Sequence, residues 1–177
     1  MNTRFIINKG FFAAIIILAT VSAHQATADH DHSEKLSYNS ESMQQIIVAD
    51  HRSAKNIARN PYRHPDQTLE FFGLTPNMSV VEVWPGAGWY SEILAPALKE
   101  QGHYYAAGFS LVAERTPVWR KMYQIKFNEK LKKSPNIYDK TIVTDLSIPE
   151  RPEIAPEGSA DLVLTFRNVH NLSLIHL

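Results

Sequence analysis

The sequence predicts an α/β protein built on a parallel sheet. Four short runs are apolar and rich in β-branched or aromatic residues: 79–84, 103–107, 141–146 and 160–166. Segments with helical spacing of apolar residues separate the first three, and a Pro85-Gly86-Ala87-Gly88 turn leads from the first run straight into a helical segment. Short apolar runs bounded by turn residues read as buried strands. Strands that alternate with helices pair in parallel, and helices are expected on both faces of the sheet.

The chain has 177 residues, 44% of them apolar and 20% charged, with 18 basic residues balanced by 18 acidic ones. That composition fits a globular chain of about one domain. The neutral balance argues against a general nucleic-acid binder. With no cysteine, disulfide frameworks, thiolate zinc sites and cysteine nucleophiles are excluded.

Arg4 and Lys9 precede an apolar run over 10–21, followed by the small residues of Val21-Ser22-Ala23 and Ala26-Thr27-Ala28. This order is that of a secretory signal peptide. The run is shorter than the ~20 residues a membrane-spanning helix needs. Cleavage is expected after Ala28, with Ala23 as the alternative site, which makes the chain an exported protein. An uncleaved membrane anchor is the rival reading. Residues 29–40 are a polar linker. His30 and His32 within it have metal-ligand chemistry, but a flexible terminus builds no fixed site, and no metal is assigned.

From Glu41 to Ala58, Met43, Ile46, Ile47, Ala54, Ile57 and Ala58 recur at mostly helical spacing, with Ser40 as the predicted N-cap. Pro61 and Pro65 then interrupt the helix. Tyr62, Arg63 and His64 between them form either a lid or a structural loop. Asp66 is the predicted cap of a short helix carrying Leu69, Phe71 and Phe72 and closed by Gly73. Ser79 to Trp84 is the first strand. Trp89 to Leu98 is a helix, with Pro96 bending it or marking its last turn. His103 to Ala107 is the second strand. Pro117 opens a long basic helix in which Trp119, Tyr123, Phe127 and Leu131 lie four apart and are assigned to one face. Segment 117–133 either packs that face on the core or rests weakly on an anionic membrane surface. Thr141 to Leu146 and Ala160 to Phe166 are the third and fourth strands.

The strongest local signal is Val80-Val81-Glu82-Val83-Trp84-Pro85-Gly86-Ala87-Gly88. It is a buried strand with an acidic residue near its end, then a tight turn, then a helix. Glycine lets backbone approach a ligand closely. Ligands of open parallel sheets bind outside the carboxyl ends of the strands. A plain strand–turn–helix corner is the alternative reading.

This segment resembles motif I of class I S-adenosylmethionine-dependent methyltransferases, in the Glu-Ile-Gly-Pro-Gly-x-Gly form, with Trp84 in place of the first glycine. Runs 58–65, 71–74, 81–90, 93–96 and 166–171 together resemble a family of predicted exported bacterial methyltransferases, over about residues 45–171. Pro-Gly-Ala-Gly-Trp-Tyr and Phe-Arg-Asn-Val-His-Asn are the most distinctive pieces.

The resemblance implies a Rossmann-like sheet of the class I methyltransferase type, with S-adenosyl-L-methionine as cofactor and a small molecule as methyl acceptor. It implies export to the bacterial periplasm. Glu82, Trp84, Gly86, Ala87, Gly88 and Asp145 are the implied cofactor-binding residues. Glu82 would orient the ammonium of the methionine part, and Asp145 would meet the adenine amino group or serve as a turn residue. Asn168 and His170 are the implied catalytic residues at the acceptor rim. His170 has the chemistry of a general base, with an unperturbed pKa of ~6.5; an ordinary surface histidine is the alternative. Phe166-Arg167-Asn168-Val169 also resembles quinone-biosynthesis methyltransferases, which weakly favours a hydrophobic or phenolic acceptor.

One departure stands out. Such enzymes place an acid after the second strand to hold the ribose hydroxyls, but here the chain reads Ala106-Ala107-Gly108-Phe109-Ser110. Glu114 folds back to serve, or the ribose is held differently, or cofactor binding is weak or lost. A non-catalytic small-ligand-binding descendant of the fold is therefore the first alternative. An NAD-type oxidoreductase is the second, with Ser91 where its fingerprint has a third glycine. The class I fold has seven strands, and four are recognisable here. The chain is thus expected to be the front part of a longer protein, with 41–177 as the N-terminal part of its domain.

Overall fold

The structure, a computed structural model, describes residues 38–172. The predicted signal peptide, most of the predicted linker, His30 and His32 lie outside the described residues. Four strands, β1 (Ser79–Val83), β2 (His103–Phe109), β3 (Thr141–Leu146) and β4 (Leu162–Leu164), form one sheet in the order β3-β2-β1-β4. Every pairing is parallel: Val81 lies opposite Tyr105 and Val163, and Tyr105 opposite Ile142. The predicted α/β class and its parallel sheet are thus present.

The helices are α1 (Ser40–Ile47), α2 (Ala54–Ile57), α3 (Asn60–Arg63), α4 (Pro65–Phe71), α5 (Ser91–Leu98), α6 (Val118–Lys133), α7 (Pro135–Tyr138) and α8 (Val169–Leu172). The single helix predicted over 41–58 is two. A turn at 48–52 divides it, and the Ser53 hydroxyl caps α2 by accepting from the Asn56 amide. Asn39 rather than Ser40 caps α1, its side chain accepting from the Glu41 amide. Asp66 does not cap α4, because left-handed His64 holds that position; its carboxylate accepts from Gln44 instead.

Strand alternation sends Val80, Tyr104, Ala106 and Leu164 to one face of the sheet, and Val81, Val83, Tyr105 and Ala107 to the other. The first face carries the main core. Met43 and Ile47 of α1, Leu69 of α4, Ile93, Leu94 and Leu98 of α5, Phe127 and Leu131 of α6, and Tyr138 all join it. Burying one such side chain contributes about 1.5–3 kcal/mol.

The second face corrects an expectation. Its cluster adds Trp84, Phe109, Leu146, Ile154 and Ala155, and no residue from a helix. Among the described residues the helices pack mainly on the first face, and only Trp119 and Arg120 at the start of α6 reach Phe109 and Trp84 at the rim of the second. The connection from β3 to β4 contains Pro149, Pro152 and Pro156, which is too proline-rich to form a crossover helix. That loop lays Ile154 and Ala155 on the sheet but leaves Ile142 39% and Val163 54% exposed.

Pro96 lies in the last turn of α5, as expected, and the helix runs on to Leu98. Proline lacks the N–H that would bond the carbonyl four residues back. That carbonyl belongs to Glu92, and the His51 ring meets it at 2.7 Å.

Candidate functional site

The chain order reverses between β1 and β4, since β2 and β3 lie on one side of β1 and β4 on the other. In open parallel sheets such a reversal opens a crevice at the carboxyl ends of the strands, where ligands bind. The turn 84–88 follows β1 at that crevice.

The turn needs left-handed backbone at Trp84 (φ 52°), Gly86 (φ 61°) and Gly88 (φ 74°). Glycine takes that conformation without steric cost. The two glycines differ in surroundings. A Cβ at Gly88 would stand 2.9 Å from the Phe127 ring, so α6 packs directly on this backbone. A Cβ at Gly86 would meet no heavy atom within 4 Å. Gly88 therefore serves packing, and Gly86 presents open backbone on which a ligand can lie.

Polar side chains fix the turn from behind. The Lys130 ammonium of α6 donates to the carbonyls of Ala87 at 3.0 Å and Gly88 at 3.1 Å, and reaches the Glu92 carboxylate at 2.6 Å. Buried Glu92 also accepts from Arg52 Nε at 3.3 Å and Asn56 Nδ2 at 2.9 Å. Arg52 donates to the Ile47 carbonyl and to Asn60. The guanidinium carbons of Arg52 and Arg63 lie 4.9 and 4.5 Å from the Trp89 ring centroid. The Tyr62–His64 segment is thereby tied to the start of the α5 region through Arg63, while Tyr62 itself is exposed.

Glu82 is 3% exposed and belongs to the α5 side of β1. Its Oε2 accepts from Ser91 Oγ at 2.8 Å and from the Tyr104 hydroxyl at 2.5 Å. Burial pushes this carboxyl above its ordinary value, against the pull of the Tyr104 and Ser91 hydroxyls and the Lys130 charge. The structure thus gives Glu82 two protein hydroxyls as partners beneath the turn.

Trp84 is 5% exposed and carries the second-face cluster up to the crevice. Its indole lies 5.2 Å from the Phe109 ring at the end of β2. Left-handed backbone at a bulky residue costs about 1–3 kcal/mol, offset by the burial of the indole and by the bond from the Trp84 amide to the Ala107 carbonyl.

Asp145 sits at the end of β3, with Arg151 Nε at 2.6 Å. Partial burial raises this carboxyl, but hydrogen bonds from Arg151 and Ser110 and the Arg151 charge outweigh that and hold it below its ordinary value. Asp145 lines a cavity of about 380 Å³ with Phe109, Gln124, Asn128, Thr144 and Arg151. The absent acid after β2 also has a structural counterpart. The Gln124 amide covers Gly108, where a Cβ would fall 1.9 Å from Gln124 Oε1, and that oxygen accepts from the Phe109 amide at 2.9 Å. Glu114 is exposed.

Asn168 and His170 follow β4 on the other side of the crevice. The Asn168 side chain donates to the carbonyls of Trp84 at 3.1 Å and Val83 at 3.4 Å, so it binds the end of β4 to the end of β1. His170 is exposed, in α8. The Phe166 ring stacks on Tyr90 at 3.5 Å and so fixes the segment before them.

The turn, Asp145 and Asn168 thus stand at the same end of the sheet, with Glu82 buried beneath the turn. Sequence reasoning missed Lys130, Glu92, Gln124 and Arg120. Arg120, Gln124, Phe127 and Leu131 follow a four-three-four spacing, which keeps one stripe of α6 turned inward. Phe127, Leu131 and Gln124 are buried, while Trp119 and Tyr123 are 52% and 49% exposed. The all-four spacing of the aromatic residues drifts around the helix, so they do not share one buried face. The inward stripe was readable only by admitting polar residues to it.

No protein-family model matches this chain, and neither a curated protein nor a solved structure matches it.

Proposed function

We propose that the protein binds S-adenosylmethionine at the carboxyl ends of β1, β2 and β3, in the manner of a class I methyltransferase. The observation that carries this is the open backbone of Gly86 in a turn held rigid from behind, at the point where strand order reverses. Rigid, preorganised turns bind ligands without an ordering cost. The cavity beside Asp145 lies within the range of small-molecule sites.

The residues fit such a ligand. Asp145 accepts hydrogen bonds, as an exocyclic adenine amine requires. Asn128, held by the Gln124 amide, offers its own amide nitrogen to hydroxyl groups where a carboxylate is more usual. Glu82 supplies negative charge beneath the turn for an ammonium group. The cofactor contributes an electrophilic methyl group on sulfur. The chain holds the acceptor near the β4 end, and His170, exposed on α8, takes the proton the acceptor releases. Asn168 acts through the backbone, since its amide is occupied by the carbonyls of Val83 and Trp84.

Titration calorimetry with S-adenosylmethionine and S-adenosylhomocysteine tests the reading. Saturable heat with both is expected. No heat from either at millimolar ligand refutes it. Binding with no methyl transfer to any phenolic or quinol-like acceptor would favour the non-catalytic ligand-binding alternative.

A further inference from the structure

We propose that Arg120 and Trp84 form a recognition site for an oxyanion, a carboxylate or phosphate carried by a small ligand, at the carboxyl ends of β1 and β2. Arg120 belongs to the inward stripe of α6, where its neighbours Gln124, Phe127 and Leu131 are buried. Its guanidinium carbon lies 4.9 Å from the Trp84 ring centroid, 5.2 Å from Phe109 and 5.1 Å from Trp119. Three aromatic rings thus hold the cation in place. Among the described residues it makes no hydrogen bond and no ion pair, and its Nε is sealed from solvent without an acceptor.

Two other arginines of the fold have carboxylate partners. Arg52 pairs with Glu92, and Arg151 with Asp145. A guanidinium carries five donors suited to planar recognition of carboxylate or phosphate. Leaving such donors buried and unmade costs free energy. Rings attract the charge but accept none of its in-plane N–H groups.

Two further observations at the same place call for negative charge and acceptors. Trp84 Nε1 is also buried without an acceptor, in a residue that is 5% exposed. Helix α6 begins two residues before Arg120, has no side-chain cap and no acidic residue in its first turn. A helix start presents unpaired N–H groups and partial positive charge, which an anion satisfies. A guanidinium, an indole N–H and an uncapped helix start gather at the crevice, with no carboxylate bonded to them. An oxyanion answers all three at once.

Two of the three tryptophans, Trp84 and Trp119, touch the guanidinium, so tryptophan emission reports occupancy. The full chain is titrated with sodium phosphate and, separately, sodium acetate, each against chloride at matched ionic strength. A saturable change is expected with at least one of them. Saturation by phosphate alone assigns a phosphate-bearing ligand, and saturation by acetate assigns a carboxylate. Arg120→Met should weaken the response at least roughly tenfold while the thermal midpoint stays high. If that variant does not fold, Arg120→Lys serves in its place. It keeps the charge but loses the planar fork, and should bind severalfold more weakly. No response beyond chloride, or equal affinity in a folded Arg120 variant, overturns the proposal. Because only inorganic ions and acetate are used, this outcome is separate from the calorimetry of the adenosyl ligands.

Discussion

The Lys130 ammonium lies 3.1 Å from the Gly88 carbonyl, across 42 residues of sequence, and the same nitrogen is 2.6 Å from Glu92. One side chain from α6 thereby fixes both the backbone of the turn after β1 and the first turn of α5. Lys130→Met removes three acceptors' partner at once and leaves Glu92 to Arg52 and Asn56. A loss of about 2 kcal/mol is expected in urea unfolding. Binding of the adenosyl ligand should weaken further than stability alone explains, because the turn loses its rigidity.

Gly86 and Gly88 should separate on substitution. Both hold left-handed backbone, which costs an alanine about 1–2 kcal/mol. Only at Gly88 does the new Cβ meet the Phe127 ring, at 2.9 Å, adding about 1–3 kcal/mol of overpacking. Thermal unfolding should therefore rank Gly88→Ala clearly below Gly86→Ala. Ligand affinity should fall in Gly86→Ala even so, since its added methyl occupies the open side. Equal stability of the two variants would count against the packing of α6 on this turn.

Glu82 predicts a pH dependence. Its carboxyl is raised above the ordinary value by burial, so the folded state holds a proton more tightly than the unfolded chain. The resulting stability is fully present below the unfolded carboxylate pKa of about 4.3. It is lost as pH rises through that value towards the raised one. Glu82→Gln keeps an acceptor for Ser91 and Tyr104 but cannot ionise. Its midpoint should exceed the wild-type midpoint at neutral pH, and the gap should close on acidification. A gap that widens on acidification would contradict the burial of an ionised group there.

Asn168→Ala removes the link from β4 to the carbonyls of Val83 and Trp84 and should cost about 1–2 kcal/mol. His170→Ala, at an exposed position on α8, should cost less. Chemical unfolding of both variants checks the order. Equal large losses would move His170 into the structural framework and away from proton transfer.

Much of the sheet was legible because β-branched runs bounded by turns have few other uses. Thr141 to Leu146 matches its strand end for end. The helix over 41–58 misled because Ala54, Ile57 and Ala58 keep helical spacing across a turn that spacing alone does not reveal. The site was legible where backbone geometry carries it, as at Gly86 and Gly88, whose positive φ values suit the residue. It was hidden where long polar side chains come from distant elements. Lys130 reads as one more lysine on a basic helix, and Glu92 as a solvated acid, until the fold brings them together. Trp84 is a different case. A tryptophan in left-handed backbone defies local preference, and contacts from distant residues account for it: the packing of its indole against Phe109 and the bond from its amide to Ala107.

Pro96 has a consequence for cooperativity. By deleting one bond inside α5, it hands the Glu92 carbonyl to His51, 41 residues earlier in the chain. A local defect thus becomes a long-range tether between the segment before α2 and the central helix. Detaching that segment would strand a carbonyl that α5 has no means to satisfy. The amides of α1 and those of α5 should therefore share one opening free energy in native-state hydrogen exchange, so that the N-terminal helices and the helix behind the sheet are lost together.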